Sequence, residues 1–368
     1  AKQMGSSGTR GLLSSGAFPG TASYNAIDYI TFQSGGGVTE FGELSLDRAK
    51  GAGVGDGIRG VLAGGENPAS PYNSYDYIEV VTIATTGNGS SFGDLITPAD
   101  TDSSVADRTR GVICCTNTLE PGNSSPNTTR TNIIEFITTA VGGTAQDFGD
   151  LTIDRRCGNG VSSSRTRGLF YSGSPGPGPH RNTIDFITIQ TKGNAVDFGD
   201  LTTFGNQDGA SHGSNLTRSV NHVNSDANTI EFLTIASKGN TVRFGELSDG
   251  VGTEGVAKNK ALSNSIRGVF TVGYSLVSPY PARKHMQYVT IASEGNSTTF
   301  GDMTELRWAH QTTGSQTRGI ITSGSPPIDD LLQKIEIASD GNAVYFGDLS
   351  YPAYEHGCCS DSHGGLGG

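Results

Sequence analysis

Short apolar runs, rich in β-branched and aromatic residues, alternate along the whole chain with turns rich in Gly, Asn and Ser. The clearest specimen lies between residues 156 and 201. RCGNGVS (156–162) reads as a strand of small residues, and the turn SSRT leads into the mostly apolar RGLFYSG (167–173). After a loop comes NTIDFITIQ (182–190), with Asp185 and Thr188 interrupting its apolar run. TKGN makes the next turn, where Gly193-Asn194 can take the positive φ of a hairpin, and AVDFGDL (195–201) completes the unit. This pattern predicts four short antiparallel strands.

The unit recurs. A Phe-Gly pair begins at Phe41, Phe92, Phe148, Phe198, Phe244, Phe300 and Phe346, always followed by an acid and then Leu or Met, at intervals of 46 to 56 residues. An Arg opens the second strand at Arg10, Arg59, Arg110, Arg167, Arg218, Arg267 and Arg318, at intervals of 49 to 57 residues. Two independent markers agree on seven copies, which predicts an all-β chain folded as one seven-bladed β-propeller over residues 1–368. Blades two to seven are read at 47–96, 97–152, 153–202, 203–248, 249–304 and 305–350, and blade one as 9–46 plus 352–363. TRGLLSSG (9–16) matches a second strand with no first strand before it, whereas HGCCSDSHGGLGG (356–368) matches a first strand and its turn. The expectation is therefore a ring closed by the C-terminal strand, with residues near 354–361 innermost in blade one; closure removes exposed sheet edges.

Composition narrows the picture. Apolar residues are only 34% and Gly contributes 54 positions, without a Gly-X-Y period, as suits many tight turns. The net charge is −11 and no basic stripe is visible, so no nucleic-acid partner is expected. No run approaches the ~20 apolar residues of a membrane helix, so no membrane insertion is expected. AKQMGSSGTR at the start lacks the apolar core of a secretion signal. Cys114, Cys115, Cys157, Cys358 and Cys359 contain no C-x-x-C, and read as small buried thiols in a reducing compartment rather than a disulfide framework or zinc site.

RGLFYSG, ITIQ and FGDL resemble the second, third and fourth strands of the kelch repeat. The kelch Gly-Gly after the second strand survives only as Gly64-Gly65, and Phe stands where kelch carries Trp, so the resemblance is to a divergent kelch-like group. The phrasing T-R-G-V-F…I-D-F-I-T-I-A-S-x-G-N…F-G-D-L is similar to repeat proteins of tailed bacteriophages of marine cyanobacteria. That resemblance implies a virion or tail-fibre component, made in the host cytoplasm. Its implied partners are other virion proteins and a host-surface glycan or receptor. A carbohydrate-binding, lectin-like propeller is the alternative, and a propeller enzyme is the third reading.

Residues repeated in every blade are expected to support the blade. The Arg column is one. The acid after Phe-Gly is another, at Glu43, Asp94, Asp150, Asp200, Glu246, Asp302 and Asp348. Each Arg is expected to use its planar donor fork on a carboxylate or on backbone carbonyls, within or between blades. A third column, Asp28, Glu79, Glu135, Asp185, Glu231, Gln287 and Gln333, offers alternative partners.

No chemistry-bearing motif survives its context. DFG, at 147–149 and 197–199, has its Asp in two of seven copies and is accompanied by no H-R-D loop, so it is not a kinase magnesium site. GDGIRG (55–60) precedes VLAGG rather than a helix. Asp100, Asp102 and Asp107 read as a solvated turn, and His310 and His356, which could meet at the channel mouth, lack a third ligand. No catalytic residue, metal or cofactor is expected, and the chain is read as non-enzymatic. The long loops joining strands two to three, and blade to blade, are the expected contact surface. Their candidate binding residues are Tyr72, Tyr75, Tyr274, Tyr280, Arg283 and Trp308.

Overall fold

The computed structural model describes residues 4–6, 8–14, 17–18, 22–67, 73–100, 103–115, 117–119, 128–156, 160–174, 181–202, 211–222, 228–248, 256–325, 327–352 and 357–358. Among these there is no helix. Seven antiparallel sheets stand as the blades of a propeller ring, and in blades two to seven the strands run in chain order from innermost to outermost. Blade four is Val161–Ser163, Arg167–Gly173, Arg181–Thr188 and Val196–Asp200. Blade two is Ala52–Gly55, Arg59–Ala63, Tyr77–Thr82 and Ser90–Asp94. The second strand is almost wholly buried in every blade, which explains its near-continuous apolar run.

Closure differs from the sequence reading. Gly357–Cys358 does pair with the second strand of blade one, at Ser14 and Leu13. However, Met4–Ser6 pairs with the same edge, at Leu12 and Gly11, so a first strand is not missing at the N-terminal end. The two segments follow one another along Arg10–Ser14 and together form the innermost strand. Each satisfies part of a row of backbone groups that neither covers alone. The outermost strand of blade one also runs past the expected limit, over Thr39–Arg48.

The apolar residues form seven clusters, and each straddles two neighbouring blades. Phe148, for example, packs with Leu151 of blade three and Phe170, Ile187 and Ile189 of blade four. The Phe-Gly motif places it there. Opposite Ile184 stands Gly199 and opposite Asp185 stands Asp197, so Phe198 is the extra residue of a β-bulge. The same shift occurs at the equivalent step of the other six blades.

Three rings of polar contacts then tie each blade to the next. In the first, the Phe carbonyl accepts the N–H of the next blade's turn glycine, as from Gly193 to Phe148 at 2.8 Å and, closing the ring, from Gly37 to Phe346 at 2.9 Å. The turn Asn adds a bond back: Asp150 N–H donates to Asn194 Oδ1 at 3.2 Å, and Asp200 N–H to Asn240 Oδ1 at 3.0 Å.

The second ring uses the Arg column. Each guanidinium donates to a main-chain carbonyl of the next blade, just past its third strand. Arg10 reaches Ile83, Arg59 Thr139, Arg110 Ile189, Arg167 Ile235, Arg218 Ile291, Arg267 Ile337 and Arg318 Phe32. In five blades the Arg also lies over an aromatic ring of its own blade, such as Arg110 over Phe136 at 4.4 Å. Where that position is Val80 or Lys334, the Arg takes an acid of its own blade, Asp56 or Glu336.

The third ring uses the buried acid or Gln of the third strand. Its oxygens accept the N–H of the residue following the preceding blade's F-G-D-L, as from Thr152 to Asp185 at 3.1 Å and from Thr304 to Gln333 at 2.6 Å. Ser350 to Asp28 closes this ring. In blade six Ser297 relays the contact between Ser248 and Gln287. By contrast, the acids after Phe-Gly point outward and are exposed or half-exposed; their backbone, rather than their carboxylate, enters the blade junction.

Candidate binding surface on the loop face

The longest described loop of the expected face is in blade six, between Arg267–Thr271 and His285–Thr290. It is a built hairpin. Tyr274–Ser275 pairs with Val256–Ala257, Ser275 N–H donates to Pro281 O, Tyr280 N–H to Val277 O and Arg283 N–H to Gly273 O. Tyr280, at φ 58, turns the chain at the tip and is 59% exposed, beside Val277 at 48%. Ser278, Pro279 and Pro281 are exposed as well.

Trp308 supports this tip from the connector between blades six and seven. Its backbone pairs with Ser325 in both directions, and the preceding Arg307 is fully buried on a two-pronged bond to Asp329, 3.0 Å on each prong. The half-buried Trp308 ring meets the Tyr274 ring edge-on at 6.0 Å, and Lys258 Nζ sits over it at 4.6 Å. The structure therefore brings Tyr274, Tyr280, Arg283 and Trp308 into one loop cluster. Tyr75 belongs elsewhere, half-buried against Tyr77 at 6.0 Å in blade two, and Tyr72 lies outside the described residues.

Two features of this face were overlooked in the sequence. Arg48, Arg155 and Arg307 are the largest fully buried side chains, Arg48 at the end of blade one's outermost strand and the other two in connectors entering the next blade. Arg48 pairs with Glu79 at 2.6 Å and Arg155 with Asp185 at 3.0 Å. The sequence trace is the Arg in LDRA, IDRR and LRWA, present in only three connectors. The other feature is the close backbone contact made by the glycine at the end of the second strand. A Cβ on Gly173 would lie 2.2 Å from the Arg156 carbonyl, and one on Gly324 2.6 Å from that of Trp308. Connector and strand touch there, which a side chain would prevent.

The acidic stretch is not a solvated turn. Asp100 is fully buried, 3.7 Å from Lys50 Nζ and 3.8 Å from Arg156 Nη2. Asp107 is buried and caps the first turn of blade three by accepting from the N–H groups of Thr109 and Arg110. Both carboxylates are held by nearby cations or by turn N–H groups, which makes burial tolerable. Asp102, Cys157, Cys359 and His356 lie outside the described residues.

His310 is fully buried, its Nε2 2.6 Å from Thr271 Oγ1, and burial pushes its pKa down to about 3. A second polar group joins blades four and five: Tyr171 OH meets Ser162 Oγ at 2.6 Å, and the half-buried His212 ring packs at a tilt against Tyr171 and bonds Asn221. Burial lowers His212 to about 4 and raises Tyr171 to about 12. Cys114 and Cys115 are buried free thiols, and burial raises Cys115 well above the ordinary thiol range. Among the described residues, no three His, Cys, Asp or Glu side chains gather as a metal site.

No family model matches the chain, and no curated protein matches it. The fold is nevertheless plain. It is a seven-bladed propeller, a rigid scaffold that supports protein interaction in general. Among the described residues no helix is long and apolar enough to cross a membrane.

Proposed function

We propose that this chain is a non-enzymatic virion structural and adhesion protein. On this reading it is a rigid propeller that docks another virion protein through its long-loop face and contacts a host surface there. The observation that carries the reading is the blade-six hairpin. Its tip presents Val277 and Tyr280 to solvent on a loop tied by several backbone hydrogen bonds and braced by Tyr274, Trp308 and Lys258. Exposed aromatic and aliphatic groups on a rigid support lose little entropy on binding and make efficient contact anchors. The virion context rests on the repeat's resemblance to kelch-like proteins of cyanobacterial phages.

A lectin-like propeller would repeat an aromatic and polar pair from blade to blade; among the described residues the Tyr274–Trp308 pair occurs in blade six alone. Cross-linking of purified particles followed by mass spectrometry tests the proposal. Cross-links from Lys284, which borders the hairpin, to a second virion protein are expected, and Val277→Ser with Tyr280→Ala should weaken incorporation into particles. Absence of the chain from purified particles would refute the virion role. Saturable binding of the isolated chain to a glycan array, lost in Trp308→Ala, would favour the lectin reading.

A further inference from the structure

The opposite face of the ring, where the turns between strands one and two and between strands three and four emerge, carries a separate feature. Comparing the blades separates what this face needs for folding from what it does not. Every blade carries its column Arg. Four other cations are not repeated. Arg108 and Arg165 stand two residues before the column Arg, where other blades have Gly8, Gly57, Leu216, Ser265 and Gln316. Lys192 and Lys238 precede the turn glycine, where other blades have Gly35, Thr86, Gly142, Glu294 and Asp340. All four are exposed, and all four fall on the consecutive blades three, four and five.

There they join Arg110, Arg167 and Arg218, which spend only part of their donor forks on the carbonyls of Ile189, Ile235, Ile291 and Ala292. In blades two, six and seven the column Arg has a carboxylate partner, Asp56, Asp340 or Glu336. Cations of neighbouring blades converge at two rings. Lys192 of blade four lies 5.3 Å from the Phe136 ring of blade three that Arg110 covers, and Lys238 of blade five lies 5.6 Å from the Phe186 ring that Arg167 covers. The only acid on these turns is Asp107, already engaged by Thr109, Arg110 and Gln190. Seven cations less one acid leave +6 on the turns of blades three to five, bordered by the exposed Asp147 and Asp197 at the start of the fourth strands and by Glu294 on the blade-six turn, in a chain whose net charge is −11. Exposed apolar residues interleave with them: Val141 at 64%, Leu216 at 40% and, on the adjoining blade, Ile266 at 62%.

We propose that this basic sector docks an acidic protein segment carrying interspersed apolar side chains. Carboxylates suit the outward guanidinium and ammonium donors. The apolar residues favour a protein over a nucleic acid or a sulfated polysaccharide, which would meet the cations and leave Val141, Leu216 and Ile266 without a matching surface.

The test uses the full chain and three probes: a synthetic peptide of Glu-Glu-Leu repeats, heparin and a single-stranded oligonucleotide. The variant R108S/R165S/K192T/K238T takes residues that other blades already tolerate in these columns. Binding of the peptide is expected to fall with rising salt, to weaken by about tenfold or more in the variant, and to weaken in Leu216→Gln, which leaves every charge in place. The melting temperature of the quadruple variant should stay near wild type. The proposal is overturned if the peptide does not bind, if the variant binds it as tightly, or if heparin or the oligonucleotide binds more tightly than the peptide. Salt-sensitive self-association in sedimentation, abolished by the variant, would assign the sector to a second copy of the chain and overturn it as well.

Discussion

At each blade junction one glycine lets two backbones touch. Gly149 sits at φ +143, and a Cβ there would lie 2.5 Å from the carbonyl carbon of Gly193 in the next blade. Both the conformation and the space exclude a side chain, so Gly149→Ala is expected to cost ~3 kcal/mol or more in urea unfolding. The turn-side partner Gly193 has open space around the equivalent point, so its own substitution meets only the conformational penalty. Imidazoles withdrawn from solvent supply a pH-dependent effect at the same scale. His310 and His212 are held neutral to about pH 3 and about pH 4, against an ordinary value of 6.5. As pH falls below 6.5 the unfolded chain binds these protons first, so stability present at neutral pH is lost between 6.5 and the folded values, on the order of 3 kcal/mol by pH 4 for the fully buried His310, with the half-buried His212 acting in the same direction. Asp28 and Glu135, raised mainly by burial, act in the opposite sense, because their folded forms take up protons early. The stability difference between wild type and His310→Gln is therefore the useful measurement, and it should shrink from pH 7 toward pH 4.

At the scale of the element, the strands were readable because alternation, turn residues and two repeating markers are local patterns. The partners of those strands were less readable. Arg155 and Asp185 form a fully buried pair between a connector and a third strand, and nothing in IDRR announces burial. Arg155→Met leaves a buried carboxylate with less compensation and should cost ~3–5 kcal/mol. Adding Asp185→Leu should recover a substantial part, so that the double mutant loses less than the sum of the two single losses. Strictly additive losses would show that the two charges act independently. The Arg column behaves differently, because its heads are half-exposed and bond carbonyls. Arg167→Met removes the bond to Ile235 and the cation over Phe186, and a smaller loss of ~1–2 kcal/mol is expected.

At the scale of the molecule, the ring is held at blade one by an innermost strand assembled from two separate segments, Met4–Ser6 and Gly357–Cys358. Removing residues 352–368 leaves Ser14 and Leu13 without the pairing that Gly357 and Cys358 provide. The truncated protein is expected to melt at a lower temperature and to aggregate through the uncovered edge. A soluble protein with an unchanged cooperative melt would show that Met4–Ser6 suffices for closure.

The chain alone determined the number of blades, the four strands in each and the loops that vary, because periodicity, β-branching and turn glycines act over a few residues and repeat. Tertiary structure decided what those residues do between blades: the Arg of one blade bonds a carbonyl of the next, as Arg10 does with Ile83, 73 residues away, and the turn Asn caps an N–H of the blade before it. It also decided that cations scattered between residues 108 and 238 share one sector. Such contacts depend on how successive blades are rotated about the ring, and that rotation is set by the packing of whole sheets rather than by any local pattern in the sequence.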